Sequence, residues 1–422
     1  MISTVEHLIP RLQTARLRAA LAAMRVVVVT GARQTGKTTL VREIGREDGR
    51  TFLSLDRPET LAIAERDPET LWEGLDKVTI DEVQRSPRML NLIKLEVDRR
   101  AVKGRFLLTG SANLLLMDRV SDSLAGRAAY LTLPGLTVAE RLGNRGGELL
   151  SYLLNAPDAG AVLAAGGDFD CPGAWTIARA TFDGGFPEAV ALESDEARDL
   201  WREGYVATYL ERDLRNLSQI ADLPDFLRFT RLAMLRSGQL VNIDGLARDA
   251  GLAPSTARRW LNLLEVSCLA VTLRAYSVSR TRRLIKSPKL YGDDSGLACH
   301  LCGVGEAAQL KTSFHLGALF ETLVLQHVRA FSQELRGGAE VMYWRTARGE
   351  EVDFVIETPH RLLPIEVNSS RSLRANDWRG LTTFLDEYPD AAPIGIILYA
   401  GDEWLRLARN VVAIPWAAFL GH

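Results

Sequence analysis

The stretch VVVVTGARQTGKTTL, Val26–Leu40, has two glycines and a lysine in the spacing G-x-x-x-x-G-K-T. Its apolar start predicts a buried strand, and the residues after the lysine predict a helix. The glycines allow backbone amides to close around phosphate oxygens, Lys37 brings a cation to the β- and γ-phosphates, and Thr38 offers a hydroxyl to magnesium. We therefore expect ATP and Mg²⁺ to be bound by this loop, through Gly31, Ala32, Arg33, Gln34, Thr35, Gly36, Lys37, Thr38 and Thr39.

Short apolar runs alternate with helical patterns over about the first 140 residues: RVVVVTG, TFLSLD, KVTIDE, RFLLTGS and AAYLTLPG. This alternation predicts an α/β fold with a mostly parallel sheet that is covered on both faces. The third run ends in Asp81 and Glu82. Beside a phosphate-binding loop, Asp81 would hold the magnesium ion, and Glu82, a catalytic residue together with Lys37, would orient or deprotonate the attacking water.

Three further residues are candidate sensors of the γ-phosphate. Thr109 and Ser111 end the fourth run, where a polar side chain could report on the phosphate; the alternative is a plain change from strand to turn. Arg127, in LAGR, could contact a phosphate in its own or a neighbouring subunit, or form a structural ion pair. A homo-oligomer is therefore an open expectation, as it is for many P-loop proteins.

A chain of 422 residues is too long for one core, and the sequence pattern divides it into three parts. We predict a P-loop domain over 1–200, which includes an irregular Gly- and Ala-rich insertion at about 141–180. A mainly helical domain is predicted over 201–305 and a second α/β domain over 306–422. The net charge of −2 gives no global attraction to nucleic acid, and no run of 18 uninterrupted apolar residues is present. We expect a cytoplasmic protein with no membrane partner.

The helical middle contains NIDGLARDAGLAPSTARRWLNLLEVSCL, which has the spacing of a helix-turn-helix. A basic, hairpin-like stretch, SVSRTRRLIKSPKLY, follows and resembles a wing. Such a surface could meet DNA phosphates, or the domain could serve for packing and protein contacts. The candidate DNA contacts are Arg258, Arg259, Arg280, Arg282, Arg283 and Lys286.

Acidic residues recur in the last part of the chain. Glu321 lies near the start of a predicted helix, Asp353 lies on a predicted strand, and Glu366 lies on the next. Three such carboxylates can converge on a divalent cation that activates water against a phosphodiester, as in the PD-(D/E)xK nucleases. Asn368 stands where that pattern has a lysine, and its amide carries no charge to stabilise a developing anion. We therefore expect a nuclease-like module with weakened or absent cleavage.

Motifs along nearly the whole chain resemble those of prokaryotic AAA-type ATPases that carry a C-terminal domain of unknown function. They are ARQTGKTTL, LSLDRPE, TIDEVQRSP, FLLTGSANLL, LAGR, GGFPEAV, YLERDL, KSPKLYGDDSGL, GALFETLV and EEVDFVIE with PIEVNSS. The resemblance implies an AAA-like core, a winged-helix-like middle and a restriction-endonuclease-like C-terminal module. The expected function is ATP hydrolysis whose nucleotide state controls the other two modules. The alternatives are an ATP-regulated DNA-binding switch and an ATP-gated, metal-dependent nuclease.

Overall fold

The computed structural model describes residues 9–110, 124–169, 175–209 and 222–422. The chain divides into two compact units, which we treat separately. The P-loop unit comprises Pro10–Gly135 with Val266–Leu269, and the larger unit includes Leu136–Glu265 with Ala270–His422. The division into three domains predicted from sequence stays a prediction. Ser111 lies outside the described residues.

The P-loop unit contains a five-stranded parallel sheet in the order β2-β3-β4-β1-β5. Its strands are β1 (Val26–Thr30), β2 (Thr51–Ser54), β3 (Val78–Asp81), β4 (Phe106–Thr109) and β5 (Ala128–Thr132). Its helices are α1 (Thr14–Ala23), α2 (Lys37–Glu47), α3 (Pro58–Arg66) and α4 (Arg88–Arg99).

Both faces of this sheet are covered, which explains the unbroken run of valines in β1. Val26 and Val28 pack into the core on one face, with Ile93 of α4. Val27 and Val29 point the other way and pack into a second core that contains Leu40. Because successive strand residues face opposite sides, only a strand buried on both faces has an apolar residue at every position. The carboxyl ends of the parallel strands meet at one edge of the sheet.

The larger unit begins with short helices. They are α5 (Val138–Leu142), α6 (Glu148–Asn155), α7 (Ala159–Ala164), α8 (Ile177–Asp183), α9 (Pro187–Ala191) and α10 (Asp195–Thr208). The stretch 141–180, predicted to be an irregular insertion with a short helix or two, is largely helical where the structure describes it. Capping explains two of these helices, because Thr137 and Asp158 accept hydrogen bonds from the backbone N–H groups of Glu140 and Ala161.

Three helices and a three-stranded sheet follow. The helices are α11 (Leu223–Met234), α12 (Ile243–Ala250) and α13 (Pro254–Val266). The strands β6 (Gln239–Leu240), β7 (Ala270–Leu273) and β8 (Lys289–Gly292) are antiparallel and stand in the order β6-β8-β7. Between β7 and β8 lies α14 (Arg280–Ile285), and after β8 come α15 (Ser295–Leu301) and α16 (Ala307–Thr312).

The end of the chain forms a six-stranded mixed sheet in the order β13-β14-β12-β11-β10-β9. Its strands are β9 (Glu340–Arg345), β10 (Glu351–Glu357), β11 (Leu362–Asn368), β12 (Gly395–Tyr399), β13 (Leu405–Ala408) and β14 (Val411–Pro415). Its helices are α17 (Leu316–Glu334), α18 (Arg379–Glu387) and α19 (Trp416–Gly421). β9, β10 and β11 are antiparallel neighbours, whereas β11, β12 and β14 are parallel.

The three-stranded and six-stranded sheets are joined within the larger unit. The backbone N–H of Tyr276 donates to Tyr343 O at 2.5 Å, and the N–H of Tyr343 donates to Arg274 O at 2.9 Å. These bonds tie the chain after β7 to β9. Among the described residues, no helix is long and apolar enough to cross a membrane.

Candidate functional site

The predicted phosphate-binding loop runs from the end of β1 to the start of α2. Gly31 and Gly36 have φ angles of 137° and 90°, in the region that favours glycine. A Cβ on Gly31 would stand 2.4 Å from Leu133 O, so this position also has no room for a side chain. Because α2 begins at Lys37, the free N–H groups of its first turn face the loop, as in anion-binding helix termini.

Lys37 is held inside this loop. Its Nζ donates to Ala32 O at 2.7 Å and to Gly31 O at 3.2 Å, and the residue is 6% exposed. Burial lowers the pKa of Lys37, and the negative charge of Glu82 opposes that shift. The ammonium therefore lies at the centre of the loop, beside the amides that would receive a phosphate.

Asp81 accepts hydrogen bonds from three side-chain hydroxyls of the site. Thr38 Oγ1 and Thr109 Oγ1 donate to Asp81 Oδ1 at 2.9 and 2.6 Å. Ser54 Oγ donates to Oδ2 at 3.2 Å. The structure therefore brings together the hydroxyl of the loop, the carboxylate of β3 and the predicted sensor of β4. Sequence reasoning missed Ser54, although it ends the strand paired with β3, directly opposite Asp81.

Glu82 follows Asp81 in a left-handed conformation, with φ of 60°. A non-glycine residue held there typically costs on the order of 1–3 kcal/mol, and such positions cluster at functional sites. The backbone N–H of Glu82 donates to Thr109 Oγ1 at 3.1 Å, so one hydroxyl contacts both acidic residues. The carboxylate accepts a hydrogen bond from Gln84 Nε2. Burial raises the pKa of Glu82, although that bond and the charge of Lys37 oppose the shift.

If Glu82 is the general base that the sequence predicts, its raised pKa determines how the rate of ATP hydrolysis falls at low pH. A general base works only when ionised, so turnover should be full above the pKa of Glu82 and should fall as the pH drops through it. The midpoint of the fall is expected above the ordinary pKa of a glutamate. Turnover measured from pH 4 to 9 at saturating ATP checks this. A midpoint below that ordinary value would contradict it.

The structure does not bring Arg127 to the phosphate-binding edge. Arg127 precedes β5, at the amino end of that strand, whereas the loop follows the carboxyl end of the neighbouring β1. Five residues of strand separate the two edges by roughly 15 Å. The guanidinium pairs with Asp98, with distances of 2.7 and 2.8 Å, as the structural alternative expects. A role at a neighbouring subunit stays a prediction.

A different arginine supports the loop. Arg11 Nη1 donates to Thr35 O at 2.6 Å, and Nη2 donates to Pro134 O at 2.6 Å. Arg11 thus ties the phosphate-binding loop to the chain that follows β5. No local motif marks this residue, and sequence reasoning missed it. Two residues predicted to bind ATP, Arg33 and Gln34, are exposed on the surface of the loop.

The donor set at this edge fits nucleotide and magnesium. Left-handed glycines and a helix N-terminus provide N–H groups for phosphate oxygens. Hydroxyl and carboxylate oxygens are the ligands that Mg²⁺ prefers, and Thr38 and Asp81 provide one of each within 2.9 Å of one another.

The larger unit contains a second cluster of ionisable residues, which we call the acid cluster: Glu321, Glu351, Asp353 and Glu366, with Lys289. Lys289 Nζ is 3.1 Å from Asp353 Oδ1 and 3.3 Å from Glu321 Oε1, and it also pairs with Glu351. The lysine side chain is 3% exposed. Although burial opposes this, the carboxylates raise the pKa of Lys289, which stays charged.

The other predicted nuclease-like residues lie close by. The register that pairs Phe354 with Ile365 places Asp353 opposite Glu366. Glu366 Oε2 is shielded from solvent and has no hydrogen-bond partner within the described ranges. Burial and the charge of Asp353 raise the pKa of Glu366 well above its usual value. Asn368 Oδ1 accepts a hydrogen bond from Ser370 N at 2.8 Å, so its amide serves the turn after β11.

A divalent cation does not fit this cluster as it stands. Over the part of the chain that the structure describes, no group of three or more His, Cys, Asp or Glu residues is arranged to hold a metal ion. The nuclease-like role suggested for Glu321, Asp353 and Glu366 stays a prediction. An ammonium group lies between the first two of these carboxylates.

The six predicted DNA contacts have different surroundings. Arg283 is bound to Glu357, with distances of 2.5 and 2.8 Å, and is 12% exposed, so it belongs to the packing of the larger unit. Arg258 and Lys286 line a cavity of about 1120 Å³ in that unit. Three are exposed and lie outside its lining: Arg259, Arg280 and Arg282.

Comparison with family models agrees with this geometry. Residues 23–142 match the model described as an AAA domain. Residues 175–308 and 316–419 match two models that are each described as a domain of unknown function. The parallel sheet, its phosphate-binding loop and the first match define a P-loop NTPase of the AAA type.

Two mycobacterial proteins are similar along most of the chain. Uncharacterized protein Rv2008c of Mycobacterium tuberculosis and uncharacterized protein Mb2031c of Mycobacterium bovis are each 32% identical to it over 402 residues, which is 95% of this chain and 82% of each relative. The chain belongs to the family of AAA-domain proteins that includes these two relatives. Among solved structures, the Walker-type ATPase PABY2304 of Pyrococcus abyssi aligns with 70% of this chain and 97% of its own, at 15% identity and a TM-score of 0.44. A likeness that distant carries no inference about activity.

Proposed function

We propose that this protein binds ATP with magnesium and hydrolyses it at the carboxyl edge of the parallel sheet. The observation that carries the proposal is the set of bonds at Asp81, where the hydroxyls of Thr38, Thr109 and Ser54 converge. Hydroxyl groups from the phosphate-binding loop and from two neighbouring strands have little reason to converge on one buried carboxylate unless this edge of the sheet binds a nucleotide.

Each residue has a distinct role in this proposal. The loop amides and Lys37 hold the phosphates and oppose the charge that develops on them during transfer. Thr38 and Asp81 would hold magnesium, which supplies further positive charge at the phosphate oxygens. Glu82 accepts a proton from the attacking water. Thr109 is a positioning residue, because its hydroxyl fixes both Asp81 and the backbone of Glu82.

Nucleotide binding tests the first step. A fluorescent ATP analogue with Mg²⁺ should bind the wild-type protein, and Lys37→Ala should weaken binding or abolish it. Arg46→Ala is the control, because Arg46 is an exposed cation in the last turn of α2, the helix that begins at Lys37. Equal affinity for wild type and Lys37→Ala would contradict the proposed site.

We further propose that the nucleotide state reaches the rest of the chain through Val266–Leu269. This segment belongs to the P-loop unit, whereas α13 up to Glu265 and β7 after the segment are parts of the larger unit. Cys268 within it lies near enough to Lys37 to influence the pKa of that lysine. Hydrogen exchange in α13 and β7 should therefore differ between the nucleotide-free and the ATP-bound protein. Identical exchange would contradict this route.

Two structural assignments complete the proposal. The order α11-β6-α12-α13-β7-β8, with β8 between the other two strands, supports a winged-helix-like domain. The order α17-β9-β10-β11-α18-β12, with Asp353 opposite Glu366, supports a nuclease-like C-terminal domain. We do not extend this to metal-dependent cleavage, because Lys289 occupies the acid cluster and Asn368 is bound in a turn.

A second candidate function, DNA binding regulated by ATP, is favoured by the cavity of about 1120 Å³. Five basic residues line it against two acidic ones, Asp244 and Glu351. The basic residues are Arg236, Arg258, Lys286, Lys289 and Arg345, of which Lys289 is held by the acid cluster and does not reach a phosphate. A net positive lining of this size suits the phosphates of a nucleic-acid strand, which basic side chains bind without reading sequence.

The DNA proposal predicts a difference between two double variants. Arg258→Ala with Lys286→Ala removes two cations that line the cavity, so it should weaken DNA binding about tenfold or more. The slope of log affinity against log salt concentration should become shallower by the amount that about two phosphate contacts contribute. Arg259→Ala with Arg282→Ala removes two exposed cations outside the lining and should have little effect. Fluorescence anisotropy with labelled single-stranded and duplex DNA at several salt concentrations measures both. Equal losses in the two double variants would contradict binding in the cavity.

A further inference from the structure

The acid cluster contains a cation, Lys289, which lies on a different sheet of the larger unit from its carboxylates. Lys289 opens β8 of the three-stranded sheet, where it pairs with Leu273 of β7 and Leu240 of β6. Glu321, Glu351 and Asp353 belong to α17 and β10, next to the six-stranded sheet. The lysine therefore crosses from one sheet to the carboxylates of the other.

The ammonium of Lys289 has a carboxylate partner for each of its N–H donors. A protonated lysine has three N–H donors and no acceptor. Lys289 Nζ contacts three carboxylates, those of Asp353, Glu321 and Glu351. With each donor matched to one carboxylate, none is left to contact a phosphodiester. The ammonium thus cannot act on a substrate in place of the lysine that Asn368 replaces in sequence.

A second residue of β8, Tyr291, also binds the acid cluster. Tyr291 lies two residues after Lys289, on the same face of the strand. Its hydroxyl donates to Glu321 Oε1. On the other side of the cluster, the backbone N–H of Val367 donates to Asp353 Oδ2 at 3.1 Å. Both carboxylate oxygens of Asp353 and Oε1 of Glu321 are therefore engaged by groups of this chain.

We propose that Lys289 takes the place that a divalent cation has in a nuclease site, so that the C-terminal module binds no divalent metal at its acid cluster while β8 is docked. The cluster then joins two parts of the larger unit, and its carboxylates hold the lysine instead of a metal ion. Removal of the ammonium would uncover oxygens of Glu321 and Asp353, next to Glu366 with its unpaired Oε2, and such oxygens suit Mg²⁺ or Mn²⁺.

Binding of Mn²⁺ to the nucleotide-free, full-length protein tests this inference. The wild type should bind no Mn²⁺ that depends on Asp353, so Asp353→Asn should leave its titration unchanged. Lys289→Ala should bind one Mn²⁺ at least tenfold more tightly than the wild type. Adding Asp353→Asn to Lys289→Ala should abolish that binding. Isothermal titration calorimetry measures this Mn²⁺ binding, and so does the loss of the electron paramagnetic resonance signal of free Mn²⁺. Neither method depends on an activity.

Two results would overturn the inference. One is Mn²⁺ binding by the wild type that is lost in Asp353→Asn, which would show a metal site beside an intact Lys289. The other is a folded Lys289→Ala variant, checked by circular dichroism, that binds Mn²⁺ no better than the wild type. The comparison of wild type with Asp353→Asn decides the matter by itself if Lys289→Ala does not fold.

Discussion

Glu82→Gln is expected to bind ATP nearly as well as the wild type and to hydrolyse it about 10²–10⁴-fold more slowly, the usual loss when a general base is removed. Glutamine keeps the size and the hydrogen-bonding capacity of the side chain but cannot accept the proton of the attacking water. The backbone bond from Glu82 N–H to Thr109 Oγ1 does not depend on the side chain, so the site should keep its shape. Steady-state release of phosphate, with affinity measured separately, gives both quantities.

The control for this substitution is Glu59→Gln, an exposed glutamate in the first turn of α3. It changes the net charge by the same amount and should leave turnover within about twofold, because a surface substitution far from the chemistry rarely matters. Comparable losses in the two variants would point to a general charge effect. A normal rate for Glu82→Gln would remove Glu82 from the catalytic role.

Lys289→Met is expected to destabilise the larger unit by about 3–5 kcal/mol, the typical cost of breaking a buried ion pair by removing one partner. Methionine nearly matches the length of the lysine side chain, so the loss is mainly one of charge. The carboxylates of Asp353, Glu321 and Glu351 would be left without their cation in a site where Lys289 itself is 2% exposed. Urea unfolding, followed by the fluorescence of tryptophans, measures the free-energy difference.

Lys286→Met is the matched control. Lys286 lies three residues earlier and is exposed, and its Nζ donates to Arg345 O at 3.4 Å. Its loss should change the free energy of unfolding by no more than about 0.5 kcal/mol. A Lys289→Met variant as stable as Lys286→Met would contradict the account of the acid cluster.

The candidate nucleotide site could be predicted largely from sequence because the residues that form it are close together along the chain. The loop, the strand before it and the helix after it lie in one continuous stretch, and Asp81 ends an apolar strand. Parallel strands place their carboxyl ends at one edge of the sheet, and Thr109 at the end of β4 therefore lies beside Asp81 at the end of β3. Ser54 follows the same rule at the neighbouring strand and could have been found by it.

The role of Lys289 could not be predicted in this way. In the sequence it is one of several cations in SVSRTRRLIKSPKLY, and it follows the pattern of an exposed wing. Its partners Glu321 and Asp353 are 32 and 64 residues away along the chain. Only the docking of β8 against α17 and β10 selects this lysine over its neighbours, and no local periodicity encodes that docking. For the same reason Arg11, whose partners lie on distant loops, carried no sequence signal.

ATP hydrolysis at the edge around Asp81 is the proposal on which the assigned residue roles depend. Its most direct test is the rate of phosphate release by the purified protein with saturating ATP and Mg²⁺, compared with that of Lys37→Ala. We predict measurable turnover by the wild type that requires Mg²⁺, and a loss of about 10²-fold or more in Lys37→Ala, because a cation that stabilises phosphate charge is removed. Turnover that is equal in the two proteins would contradict the claim.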